Sequence, residues 1–94
     1  MASYLDVRKT VTEEQVRAIS ELVVKKLLQR MVEKGPGSFV HIHEVMGCLQ
    51  EEWYELIDAS HRRSHVEVLW ELEDLAVAAI FSIASVALIG TSQR

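Results

Sequence analysis

Two pairs of carboxylates carry the first chemical signal in this chain. Glu52 and Glu55 stand three residues apart, and so do Glu71 and Asp74. On a helix, residues three apart emerge on the same side, with Cβ atoms roughly 5–6 Å from each other. Two such pairs on facing helices make a cage of carboxylate oxygens. Hard divalent ions take such oxygens, and Mg²⁺ keeps several waters and leaves positions for phosphate oxygens. Glu51 precedes the first pair and is placed to ligate a second ion or hold a water. From Glu44 to Asp74 there are nine acids and only two basic residues, Arg62 and Arg63, a net −7 in a chain whose total is −4. An anionic substrate approaches such a site only after neutralisation. With divalent ions bound, the same site attracts a triphosphate and can acidify a water that attacks phosphorus.

The helices that must position these pairs are readable from spacing. Thr12 and Gln15 form a capping box that starts a helix at Thr12. Apolar residues follow at Val16, Ile19, Val23, Leu27 and Met31, near the helical period. Lys25, Lys26, Arg30 and Lys34 complement the negative end of its dipole. Gly35-Pro36-Gly37 stops it. A loop over 35–41 leads into a second helix from about His43 to Ala59. Its apolar side carries Val45, Met46, Leu49, Trp53, Leu56 and Ile57, with Ile42 in line; Glu44, Glu51, Glu55 and Asp58 lie opposite, with Glu52 at the flank. After a connection over 60–64, Ser64 and Glu67 form a second capping box. Glu67, Glu71 and Asp74 line one stripe of the third helix, and Glu73 points away to the surface. This helix becomes apolar on every face up to Ile89, where Gly90 is expected to end it.

Ninety-four residues make a single domain, 1–94, with residues 1–11 as a loosely held arm. Short connections favour antiparallel neighbours. Three helices with this much apolar surface do not close a core alone. The expected fold is therefore all-α: three main helices with a four-helix-bundle-type core completed across a homo-oligomer interface, dimer or tetramer. The uncharged run from Leu75 to Ile89 is about fifteen residues, short of the roughly 20 needed to cross a bilayer, so burial in an oligomer is expected rather than membrane insertion. A pI of about 5.5 argues against binding a nucleic-acid polymer. The single cysteine, Cys48, forms no internal disulfide, reads as a plain thiol and fits a cytoplasmic setting. The first ten residues lack the apolar run of a secretory signal.

The histidines do not favour a transition metal. His41 and His43 lie on opposite sides if helical, and Asp58-x-x-His61 supplies only one carboxylate-x-x-His where di-iron bundles use two. Trp53 and Trp70 fall near apolar faces and read as core, although Trp53 and Tyr54 are the candidates if a nucleobase stacks near the metal.

The order E-E-x-x-E, a gap, then E-x-x-D resembles the signature of the MazG-like all-α nucleotide pyrophosphohydrolases. Here it reads Glu51-Glu52-Trp53-Tyr54-Glu55, then Glu71-Leu72-Glu73-Asp74, with His43-Glu44 before it and an Ala-rich apolar tail after it. The similarity covers about His41 to Ala87, in particular to short phage and bacterial MazG-like proteins. The resemblance implies a homo-oligomer that cleaves a nucleoside triphosphate, non-standard or deoxy, to the monophosphate and pyrophosphate. It implies Mg²⁺, for which Mn²⁺ can substitute, held by Glu52, Glu55, Glu71 and Asp74, with Glu51 as a further ligand or as the group orienting the water. Glu51 and Glu52 are thus the catalytic candidates. Lys25, Lys26, Arg62 and Arg63 are the cations on offer for the substrate. Two rivals stand beside this reading: a relative acting on phosphoribosyl-ATP, and a non-catalytic helical oligomer whose acidic face binds cations or a basic partner.

Overall fold

The computed structural model describes residues 8–92, with side chains through residue 89. Most of the expected N-terminal arm lies outside the described residues. Three helices follow in order: α1 over Glu13–Lys34, α2 over Ile42–His61 and α3 over His65–Ser92. There is no strand among the described residues, and 35–41 connects the first two helices without regular structure.

Local chemistry sets the helix ends. Thr12 caps α1: its Oγ1 accepts from the Gln15 backbone N–H at 3.1 Å, and its own N–H donates to Gln15 Oε1 at 2.8 Å. At the other end Gly35 takes φ 92, a conformation costly for any side-chain-bearing residue, and donates its N–H to the Met31 carbonyl. α2 begins earlier than its sequence pattern suggests. His41 is the cap, with Nδ1 accepting from the His43 N–H at 3.1 Å, while Glu44 reaches back to the Val40 N–H at 2.7 Å. Only half of the second expected capping box forms. Ser64 Oγ accepts from the Glu67 N–H, but the Glu67 carboxylate is engaged by Arg62. α3 runs past Gly90 to Ser92, since one glycine lowers helix propensity by only about 1 kcal/mol.

α2 and α3 form an antiparallel hairpin. Arg62 meets Glu67 near the turn, and Phe39 just before α2 meets Ser85 far along α3, so contacts descend one helix as they climb the other. Most buried residues of the hairpin are small: Ala59 is fully buried, and Ala78, Ser82 and Ser85 are buried too, with Val45 the larger one on α2. α1 lies against α3, through Val23 and Leu27 packed on Val77, with Met31, Ala76 and Phe81 around them. Only the C-terminal half of the α1 stripe is used in this way. Val16 and Ile19 are more than half exposed.

Apolar surface remains in quantity. Among the described residues six hydrophobic ones are buried and twenty large ones exposed, including Met46, Trp53, Trp70 and Ile83. Trp53 and Trp70, expected in a core, are 51% and 57% exposed on the single chain. α3 is likewise not buried all round on the single chain. Its stretch His65–Ile89 is long and apolar enough, by length and composition only, to cross a membrane, a property that core helices share.

Candidate metal centre

The hairpin brings the four spaced acids together. Glu52 and Glu55 from α2, and Glu71 and Asp74 from α3, each offer one carboxylate oxygen within 4.8 Å of all the others. Two unit charges about 5 Å apart repel by roughly 3 kcal/mol at an effective dielectric near 20. Four such groups held by a rigid hairpin therefore create a strong demand for positive charge. Glu55 is exposed and opens the cluster to solvent; the other three are half-buried. Glu52 Oε2 and Glu71 Oε1 are shut off from water and have no hydrogen-bond partner. Buried oxygens of this kind are costly to leave unsatisfied, and an ion coordinated by the four carboxylates would satisfy them. The donor set, all oxygen and all anionic, fits a hard divalent cation.

Electrostatics divide the four. Burial, then the neighbouring Glu55 and Asp74 charges, push the Glu52 carboxyl above its ordinary value. Glu71 is also raised, by desolvation first, then by the Glu55 and Asp74 charges and by a side-chain hydrogen bond with Glu55. For Asp74, burial acts upward, but Lys26 and Arg30 outweigh it and hold the carboxyl low. Its Oδ1 receives Arg30 Nη2 at 2.6 Å and Lys26 Nζ at 2.9 Å. Lys26 also reaches Glu73 Oε1 at 3.4 Å, so Glu73 is half-buried and paired rather than a free surface acid.

The remaining candidates separate clearly. Of the four cations expected near a substrate, Lys26 alone touches the cluster. Lys25 is exposed on the outer side of α1, beside Glu21 and Leu28. Arg62 pairs with Asp58 and Glu67 at the helical corner, and Arg63 occupies that corner with φ 56, a left-handed conformation. Glu51 lies outside the four-oxygen group, in the wall of a neighbouring cleft that it shares with Glu52. Trp53 and Tyr54 are exposed, and the Tyr54 hydroxyl accepts from Gln50. The sequence reading missed Arg30 as a member of this centre. The signal was present: Lys26 and Arg30 are four residues apart, each three beyond a residue of the buried stripe, Val23 and Leu27.

The arrangement can hold a cation between two helices, with two further positive side chains arriving from a third. The chain matches no family model, no curated protein and no solved structure.

Proposed function

We propose that this chain is a divalent-metal-dependent nucleotide pyrophosphohydrolase, acting in the cytoplasm as a homo-oligomer on non-standard or deoxy nucleoside triphosphates. The observation that carries the reading is the convergence of Glu52, Glu55, Glu71 and Asp74, with two of their buried oxygens unpartnered. These residues hold the ion, Mg²⁺ or Mn²⁺. Bound there, it supplies neutralising charge for the polyphosphate and lowers the pKa of water. Glu51, beside the cluster, takes the proton of the attacking water. The water oxygen bonds to the α-phosphorus, the bond from that phosphorus to the bridging oxygen breaks, and pyrophosphate leaves. Lys26 and Arg30 balance the negative charge of the substrate from the α1 side. The exposed apolar faces support a second copy that completes a four-helix core.

The test is pyrophosphate release from a panel of standard and modified NTPs and dNTPs, with and without Mg²⁺, alongside Glu52→Gln. Mg²⁺-dependent release that drops at least 100-fold in the variant is the expected result. No release from a folded protein that binds Mg²⁺ would overturn it. A second reading is a non-catalytic helical module with a cation-binding acidic face, in which the Lys26 and Arg30 pairs on Asp74 are structural ties to α1. That module would bind Mg²⁺ without turnover.

A further inference from the structure

Next to the carboxylates lies a cleft of about 350 Å³, between the end of α1, the loop that follows it, the first half of α2 and the middle of α3. Its size falls within the range of small-molecule sites, which combine an apolar lining with a few placed polar groups. Leu27, Met31, Phe39, Val77 and Phe81 give it an apolar floor. The two phenylalanines meet edge to face, with ring centroids 5.3 Å apart, and Ser85 Oγ pins the Phe39 backbone N–H at 3.1 Å. The polar wall is Arg30 and Lys34 from α1, facing Cys48 and Glu51 from α2.

Two residues belong to both the cleft and the metal centre. Glu52 is one of the four clustered carboxylates and also lines the cleft. Arg30 is bonded to Asp74 and lines it too. A ligand filling the cleft therefore ends at the carboxylates, with cationic side chains at the junction. That combination suits a molecule with a flat, weakly polar body and an anionic tail. A hydrocarbon tail would leave Arg30 and Glu51 desolvated without partners, which is costly. A heterocycle and its sugar offer N–H, N and O–H groups to both.

We infer that this cleft takes the nucleoside half of the substrate, with the polyphosphate passing Arg30 to reach the carboxylates. The inference rests on the reading of those carboxylates as a metal-dependent polyphosphate site. It makes the cleft the place where nucleotides are distinguished from one another and from bare polyphosphate.

The experiment uses the full chain with Mg²⁺ and two probes. One is the set of α,β-methylene dNTP analogues, which cannot be cleaved between the α and β phosphorus. The other is inorganic tripolyphosphate. Affinities come from calorimetry, and methyl NMR of Leu27, Met31 and Val77 reports on the cleft floor. The analogues should bind at least tenfold more tightly than tripolyphosphate and shift those methyl signals, which tripolyphosphate should leave in place. Gly37→Leu, at a position where an added Cβ meets nothing within 4 Å, and Cys48→Phe each narrow the cleft. At least one of them should erase the nucleoside advantage while leaving Mg²⁺ and tripolyphosphate binding within twofold. Equal affinity for both probes, with unmoved methyl signals, would overturn the inference and leave the metal reading intact. Failure of both probes to bind in a Mg²⁺-dependent way would overturn the metal reading and this inference with it.

Discussion

The two halves of α1 have the same helical spacing and different fates. From Val23 onward the helix is fixed to α3, by Leu27 on Val77 and by Lys26 and Arg30 on Asp74. Before Val23 the same stripe continues through Val16 and Ile19, but those side chains face solvent on the single chain. Periodicity marks which residues share a face. It does not say whether that face has a partner. The inner half finds one in α3, while the outer half has a cap and an apolar stripe that the described residues leave exposed.

The largest expected effect tests that contrast directly. Leu27→Ala should destabilise by about 2–5 kcal/mol, the range for a buried leucine, in urea unfolding. Ile19→Ala should cost under about 0.5 kcal/mol at low protein concentration, as exposed substitutions do. If its cost rises towards that of Leu27→Ala as concentration increases, the outer stripe is buried between copies.

Arg30→Met asks whether the inner half is held by charge as well as packing. A loss of about 1 kcal/mol is expected at neutral pH, after allowing for solvent screening of a half-exposed pair. Mg²⁺ should recover it, since the ion supplies the positive charge that Asp74 has lost.

The pH response sharpens the same point. Asp74, held below its ordinary 3.8, contributes stability that is present above that value and is lost as pH falls through its folded-state pKa. Glu52 and Glu71 act oppositely. Both are raised above 4.5, so the folded chain holds their protons longer, and stability falls as pH climbs from about 4.5 through their folded-state values. Thermal melts without metal should show that decline. Glu52→Gln should reduce it by relieving the repulsion with Glu55 and Asp74. The expected gain in metal-free stability at pH 7.5 is roughly 1 kcal/mol, well below the unscreened repulsion because solvent reaches the cluster. Mg²⁺ should stabilise the parent chain more at pH 7.5 than at pH 5, and the variant little at either.

The smallest effect belongs to the outer half alone. Thr12→Ala removes a cap of about 1 kcal/mol, but fraying there need not propagate. Amide exchange should speed up in the first turns of α1 and stay unchanged around Leu27.

Much of this was legible in the sequence because it depends on neighbours along the chain. The Thr12–Gln15 box, the Gly35 stop and the i, i+3 acid pairs are short-range, and each lies where its spacing says. The centre's third helix was not legible. The Lys26 and Arg30 contacts to Asp74 span more than forty residues, and their spacing also suits a dipole-complementing surface. Nor was the cleft, which arises where three helices diverge around the Gly35–Phe39 loop. The loss of half of the Ser64–Glu67 box shows a local rule yielding to a competitor: Arg62, two residues before the cap, takes the carboxylate first. Trp53 and Trp70 follow the helical period but are left about half exposed by the described residues.

The small residues of the α2–α3 seam bear on ion choice. Ala59 lies on the turn side of the four carboxylates and Ala78 on the other, both buried, so side chains no larger than a methyl group flank the cluster along the hairpin. If the carboxylates hold an ion as proposed, the spacing of the two helices acts as a gauge of its radius. Mg²⁺ requires oxygens near 2.0–2.1 Å, whereas Ca²⁺ accepts 2.3–2.6 Å and more of them. Wedging the seam apart with a larger side chain at position 59 would open the gauge and move preference from the smaller ion towards the larger, with every ligand still in place.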